Sequence, residues 1–231
     1  MSGTLLKRLG WLAVFAIAMA YLESAVVVYL RALFFPEGFT FPMPVMDRSI
    51  VITEVGRELA TMIMLVAPAM LLARSSAERF AWFLFAFGVW DIFYYVWLKV
   101  LLGWPGSILA MDILFLVPVP WVGPVIAPCV VSLGFIALAV TILFGAHKQG
   151  SFSVVWYERV LLCMGAVTVL WSFMGDHIVH LTKHGGDMLS NGPAYMLKDT
   201  GLEAAFSWSA FLGGTVLASA ALLSAARRAF R

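Results

Sequence analysis

The stretch VITEVGRELATMIMLVAPAMLLA, residues 51–73, has the length and apolar character of a membrane-spanning helix. An α-helix needs about 20 predominantly apolar residues to cross the hydrocarbon core of a bilayer. The first third of this stretch nevertheless contains Glu54, Arg57 and Glu58. A charged side chain at the centre of a membrane costs about 2.5–3.5 kcal/mol on insertion scales. These three residues therefore predict a polar interior between helices, away from lipid.

The composition of the whole chain is that of a membrane protein. Hydrophobic residues account for 62% of the 231 residues, charged residues for 12%, and the mean hydropathy is +0.95. A soluble domain has about 25% charged residues, which is about twice the fraction found in this chain. No soluble fold of this length could bury so much apolar surface. The apolar runs have the length of helical spans and lack the short alternating segments of a β-barrel. The sequence therefore predicts an all-α, polytopic membrane protein that forms one helical bundle over residues 1–231.

Apolar runs and helix-breaking residues predict six transmembrane helices. Pro36 ends the first run, Pro68 introduces a kink in the second, and the fifth helix could continue to His184. The predicted spans cover residues 11–34, 51–73, 80–102, 123–146, 155–174 and 202–225. Four prolines interrupt the region before and at the start of the fourth span, and the stretch MDILFLV, residues 111–117, is too short to cross. We therefore expect an interfacial or re-entrant segment there, packed against protein.

The placement of lysine and arginine predicts the orientation of the helices. Cytoplasmic loops carry an excess of these residues. With a cytoplasmic N-terminus, the cytoplasmic segments contain Lys7, Arg8, Arg74, Arg79, Lys148, Arg159, Arg227, Arg228 and Arg231. The loops on the opposite side contain only Arg48, Lys183 and Lys198. We therefore expect a multi-pass protein of the bacterial inner (plasma) membrane with both termini in the cytoplasm.

The first 20 residues have the basic, apolar and small-residue order of a secretory signal peptide. However, the apolar run continues past Ala20 through VVVYLRALFF. A signal peptide has a shorter apolar region than this. We therefore expect an uncleaved first span.

Ionisable residues within the spans concentrate toward the predicted outer half of the bilayer. At about 1.5 Å of rise per residue, Glu23 and Asp91 lie near mid-membrane, and Glu58 lies about two turns below the outer boundary. Facing lipid, these three acids would together cost on the order of 8 kcal/mol. We therefore expect a polar pocket between the first three spans, open toward the outside. The predicted lining of this pocket consists of Glu23, Arg31, Glu54, Arg57, Glu58, Asp91, Tyr94, Tyr95 and Asp112.

The chemistry of this pocket allows two interpretations. Its acids outnumber its arginines, and an ionisable residue inside a membrane ordinarily marks a functional site. An excess buried acid can carry a proton or bind a cation, and Tyr94 and Tyr95 could extend a hydrogen-bonded path. The alternative is a structural network in which acid–arginine pairs only fix helix register, with the two tyrosines as an interfacial aromatic girdle.

A histidine run near the end of the fifth span provides a second candidate site. In FMGDHIVHLTKHGGD, His177, His180 and His184 lie on one helix face, with Asp176 beside them. Imidazole is a ligand for several transition metals, so a divalent metal site is one interpretation. The alternatives are a solvated polar helix end and a pH-sensing group. A b-type haem is disfavoured because the remaining histidine, His147, lies at the other predicted face of the membrane.

Three classes of function remain open. The first is binding or transport of a proton, a cation or a small polar ligand. The second is a non-catalytic membrane subunit of a larger complex, for example in electron transfer, and the third is a membrane-embedded enzyme, metal-dependent or not, with its site in the outer half of the bilayer. The small residues of SWSAFLGGTVLASAALLSAA in the last span suit close packing within the bundle, in a homo-oligomer or against partner subunits. The net charge of +2 gives no indication of nucleic-acid binding.

Overall fold

The computed structural model describes residues 3–35, 47–184 and 206–231. Six α-helices make up 80% of these residues, and a two-stranded sheet lies between the third and fourth helices. All six helices are long and apolar enough to cross a membrane, which confirms the predicted number and is compatible with an integral multi-pass membrane protein. In chain order the elements are α1 (Gly3–Phe34), α2 (Arg48–Leu72), α3 (Ser76–Leu102), β1 (Met111–Phe115), β2 (Trp121–Pro124), α4 (Ile126–Gln149), α5 (Trp156–His184) and α6 (Trp208–Ala229).

The helices begin and end at recognisable local signals. α3 begins after Ser75, whose hydroxyl oxygen accepts a hydrogen bond of 3.2 Å from the backbone N–H of Glu78. It ends at Gly103, whose φ of 67° lies in the left-handed region that favours glycine. Ser207 caps α6 in the same way as Ser75 caps α3. The predicted start of the sixth span, residues 202–205, lies outside the described residues.

The core of the bundle is organised around α3, which contacts α1, α2 and α4, while α6 contacts α4 and α5. Trp82 of α3, Leu65 of α2 and Ile142 of α4 are among its fully buried side chains. α5 and α6 approach each other at two glycines: a Cβ added to Gly165 would lie 2.7 Å from the carbonyl oxygen of Gly214, and the converse distance is also 2.7 Å. At this crossing the small residues of α6 therefore serve packing within the bundle.

The proline-rich region between α3 and α4 forms an antiparallel β-hairpin, which the sequence analysis did not anticipate. Prolines in its connecting loop are incompatible with a continuous helix. Asp112 of β1 lies opposite Gly123 of β2. The ring of Trp121 stacks on Phe173 of α5 with centroids 6.4 Å apart, and a Cβ on Gly123 would lie 2.8 Å from the same phenyl ring. Contact with α5 thus determines the position of β2, and pairing with β2 determines the position of β1.

Candidate functional site

A cavity of about 120 Å³ lies between α1, α2, α3 and the hairpin. Helical periodicity brings its polar side chains to one face of each helix, at positions 23 and 31 of α1, 54 and 58 of α2, and 91, 94 and 95 of α3. The lining includes every residue of the predicted pocket, namely Glu23, Arg31, Glu54, Arg57, Glu58, Asp91, Tyr94, Tyr95 and Asp112. The structure therefore brings together in space all the residues that the sequence singled out along three helices and one connecting segment.

Several parts of the lining were not predicted from the sequence, among them the apolar residues Val27, Leu30, Phe35 and Val51. Trp90 lies on the same face of α3 as Tyr94, four residues later, and this spacing is the signal that could have identified it. Residues 113–116 also line the cavity. They could not have been identified in the same way, because the pairing of β1 with β2 positions them.

Arg57 of α2 binds two acids from two helices. Its Nε and Nη2 donate to Oε2 of Glu54 at 2.9 and 2.7 Å, and its Nη1 contacts Oε1 of Glu23 in α1. The hydroxyl of Thr61 donates to the other oxygen of Glu23 at 2.9 Å. Both glutamates are buried, with 9% of Glu23 and 8% of Glu54 exposed. Since the guanidinium fork can bind two carboxylates, these two acids share one positive charge.

Glu58 connects α2 to the hairpin. The backbone N–H of Leu116, directly after β1, donates to both carboxylate oxygens of Glu58 at 2.9 and 3.1 Å. The side chain is buried on the same helix face as Glu54. Because the donor is a neutral amide, it orients the carboxylate of Glu58 without neutralising it.

Asp91 connects α3 to α4. The hydroxyl of Ser132 donates to Oδ2 of Asp91 at 2.8 Å, and both residues are buried. The two helices are in close contact here, since a Cβ added to Gly88 would lie 2.7 Å from the carbonyl oxygen of Ser132. This donor too is neutral, so the hydrogen bond leaves the charge of an ionised Asp91 without compensation.

Asp112 of β1 is the acid that the hairpin contributes to the cavity. Its Oδ1 lies 3.7 Å from Nη2 of Arg31, whose guanidinium carbon lies 4.0 Å from the centre of the Trp104 ring. Asp112 is only 4% exposed, and its Oδ2 has no hydrogen-bond partner among the described residues. Burial raises the pKa of Asp112 to about 7, although the positive charge of Arg31 opposes this shift. The carboxyl is therefore poised to change charge near neutral pH.

Acidic side chains outnumber basic ones in the cavity as a whole. Five acids and two arginines line it, so the acids exceed the arginines by three. Among the described residues neither lysine nor histidine belongs to the lining. A buried carboxylate without a positive partner costs several kcal/mol unless it is protonated, binds a cation or contacts water. The arrangement is therefore chemically suited to taking up positive charge.

The histidine run lies on α5, away from this cavity lining. Asp176 is exposed and His177 is buried, whereas the side chains of His180 and His184 lie outside the described part of the structure. Among the side chains that the structure describes, no group of three or more His, Cys, Asp or Glu is arranged to hold a metal ion. The predicted metal site at the histidine run therefore remains a prediction.

Another buried acid, Glu158 at the start of α5, was not predicted from the sequence. Arg228 of α6 donates through Nε to its Oε1 at 3.1 Å and through Nη2 to its Oε2 at 2.5 Å. The hydroxyl of Ser224 donates to Oε1 at 2.8 Å, and the backbone N–H of Val155 donates to Oε2 at 3.0 Å. A charged residue in the first turn of a span is ordinarily exposed, so only the packing of α6 against α5 reveals that Glu158 is buried.

Comparisons with known proteins do not assign this chain to a family. The function must therefore be inferred from the chemistry of the cavity. No protein-family model, no curated protein and no solved structure matches the chain.

Proposed function

We propose that this chain is a multi-pass protein of the bacterial inner membrane whose intramembrane cavity binds or transports a proton, a cation or a small polar ligand. In this proposal both termini are cytoplasmic and the cavity opens toward the outer face. The observation that carries it is the charge balance of the lining, in which five buried acids surround one cavity with two arginines. A purely structural network would match each buried acid with a positive partner or a full set of donors.

The distribution of basic residues supports the proposed orientation. Lys148 donates to the backbone oxygen of Phe230 at 3.3 Å, and Gln149 donates to that of Arg228 at 3.0 Å. The end of α4 and the end of α6 therefore lie together, at a face rich in lysine and arginine, as expected of a cytoplasmic face. The cavity is built from the last turns of α1 and the first turns of α2, which an antiparallel arrangement of successive spans puts at the opposite face. The hairpin, near the same helix ends, would then be the interfacial segment.

Binding is the step that the geometry supports most directly. The cavity lining reaches Glu23 on α1 and Trp90 on α3, and the lining includes no residue from the first twenty of the chain or from the first turns of α3. Transport would therefore require a further movement that opens a path toward the basic face. Such opening is a common property of transporters whose binding sites lie near the bilayer midplane.

Reconstitution into liposomes tests the proposal. Uptake of protons and of Na⁺ or K⁺ under an imposed gradient, together with cation binding measured by calorimetry, should decrease at least tenfold in Glu58→Gln and in Asp91→Asn. Asp47→Asn is the matched control, because Asp47 is exposed and lies outside the cavity lining. Binding and uptake that remain at the wild-type level in both cavity variants, or a wild type that shows neither, would contradict the proposal.

A further inference from the structure

The acids of the cavity are dispersed around its walls. Glu54 is bound by Arg57, Glu58 by the amide of Leu116, and Asp91 by Ser132. No three of the acids among the described residues converge as a metal site would require. Ca²⁺ takes about six to eight oxygen ligands at about 2.3–2.6 Å, and Mg²⁺ requires near-ideal octahedral geometry. Acids that are dispersed in this way are better suited to an organic cation, which is larger than a metal ion and carries its positive charge at one end.

Aromatic rings of α3 form another wall of the cavity. Trp90 and Tyr94 are nearly parallel, with an interplanar angle of 26° and centroids 6.3 Å apart. Tyr95 meets Tyr94 edge to face, with centroids 5.0 Å apart. The faces of tryptophan and tyrosine attract organic cations, and the attraction is strongest where water is excluded. Acids and aromatic rings around one small volume are the combination that recognises an ammonium group.

Besides Nη1 of Arg57, which contacts Glu23, two buried polar atoms of cavity-lining residues have no hydrogen-bond partner within the described structure. One is Nε1 of Trp90, a donor, and the other is Oδ2 of Asp112, an acceptor. Each of the two residues is only 4% exposed. An unsatisfied buried group of this kind costs about 1–3 kcal/mol, so each of these atoms calls for a partner. A ligand that carries both a donor and an acceptor could supply the two missing hydrogen bonds.

From these three observations we infer that the ligand is a small primary amine in its ammonium form, which also carries a hydroxyl or similar acceptor. The inference rests on the proposed function and specifies its ligand. The ammonium group binds between the acids and the rings of α3, donating to Asp112, while the acceptor receives the indole N–H of Trp90. A cavity of about 120 Å³ is slightly smaller than one of about 150 Å³ that holds benzene, which limits the ligand to about six non-hydrogen atoms.

Calorimetric titration of the purified full-length chain tests the inference, with ethanolamine, NaCl and MgCl₂ as separate probes. We expect ethanolamine to bind at least tenfold more tightly than Na⁺ or Mg²⁺. Trp90→Phe, which keeps an aromatic ring but removes the N–H, should weaken ethanolamine about fivefold. Asp112→Asn should weaken it at least tenfold. Trp156→Phe and Asp47→Asn, at an exposed tryptophan and an exposed aspartate, should bind ethanolamine like the wild type.

Tighter binding of Na⁺ or Mg²⁺ than of ethanolamine would overturn the inference. So would wild-type affinity in Trp90→Phe, which serves as the decisive variant if Asp112→Asn does not fold. If ethanolamine does not bind while cation uptake still depends on Glu58 and Asp91, the inference fails and the proposed function stands. If neither binding nor uptake is found, both are wrong.

An ammonium group with an oxygen acceptor nearby is present both in a free amino alcohol and in the headgroup of an aminophospholipid. Nanodiscs of phosphatidylethanolamine and of phosphatidylglycerol distinguish these sources. Weaker binding of added ethanolamine in the first than in the second would identify the lipid headgroup as a competitor for the cavity. Equal affinity in both would identify the free amine as the ligand.

Discussion

The protein buries acids at two places near opposite ends of its helices: Glu158 lies alone at one, and five acids line the cavity at the other. Their hydrogen-bonding capacity is satisfied differently. Glu158 receives four hydrogen bonds, two of them from Arg228, so that each carboxylate oxygen has two donors. In the cavity, Glu58 and Asp91 are held by neutral donors, and one oxygen of Asp112 has no hydrogen-bond partner among the described residues. In the first arrangement the acid is fully paired, whereas in the second the acids outnumber the arginines and line a cavity.

On this difference we base a structural role for Glu158 and the functional role proposed for the cavity. A saturated ion pair joins α5 to α6 and leaves no capacity for a ligand. The acids of the cavity also join helices, but not all of their oxygens are saturated with donors and not all of the acids are paired with an arginine. Burial of charge alone therefore does not identify a site; incomplete satisfaction beside a cavity does.

The largest effect on stability is expected at the saturated pair. Glu158→Gln removes the negative charge from a side chain that is fully buried and leaves Arg228, one-third exposed, without its ionic partner. We expect a decrease of about 3 kcal/mol in the free energy of unfolding. This value is at the lower end of the range for breaking a buried ion pair, because Arg228 remains partly solvated. The free energy of unfolding is measured from the loss of the helical circular dichroism signal as the protein unfolds in mixed detergent micelles.

The affinity of the cavity for a cation should be unchanged in Glu158→Gln. Addition of Arg228→Gln should recover part of the lost stability, because it removes the uncompensated charge. A single variant as stable as the wild type, or one with altered cation affinity, would remove the distinction between the two groups of acids.

The next largest effect is a pH dependence of ligand binding, which we expect only for the cavity. Because the pKa of Asp112 is raised to about 7, its carboxyl is neutral below that pH and negatively charged above it. Its ionised fraction rises from about one tenth at about pH 6 to about nine tenths at about pH 8, where an alkylammonium ion, like lysine, stays protonated. Binding of ethanolamine should therefore strengthen up to about tenfold over this range, as measured by calorimetry.

Other groups could contribute to that pH dependence. The charged or titratable neighbours of Asp112 are Arg31 on α1, and Asp91, Tyr94 and Tyr95 on α3. Asp112→Asn is the control that isolates the hairpin carboxyl, and its affinity should rise much less steeply with pH over the same range. Affinity that falls as the pH rises, or an equally steep profile in the variant, would show that Asp112 is not the titrating group.

The smallest effect is expected for a single neutral donor within the cavity cluster. Thr61→Val removes the hydroxyl that donates to Glu23 but keeps the shape of the side chain. Hydrogen bonds between membrane helices contribute about 0.6 kcal/mol on average, and we expect a loss of unfolding free energy of that size. Thr168→Val is the control, because its hydroxyl donates only to the carbonyl of Met164 in its own helix. A larger loss in the control than in Thr61→Val would contradict the assigned role of Thr61 in joining α1 to α2.

Much of the cavity could be predicted because helical periodicity is a local property. Glu54 and Glu58 share a face of α2 whatever surrounds that helix, and the cost of exposing Glu23 or Asp91 to lipid requires them to face inward. The hairpin could not be predicted in this way. Its strands are short, prolines lie in the loop that joins them, and their pairing depends on contact with α5 through Trp121 and Phe173.

The sequence by itself determined six apolar helices and the polar face of each of the first three, because span length and a 3.6-residue period follow from local chemistry. Only the tertiary structure decided which partner each acid receives: a backbone amide for Glu58, a hydroxyl for Asp91, an arginine of another helix for Glu158. A backbone N–H has no signature in a sequence, and the rotation of one helix against another is set by packing across the whole bundle. The difference between a saturated acid and one with capacity for a ligand is therefore visible only in three dimensions.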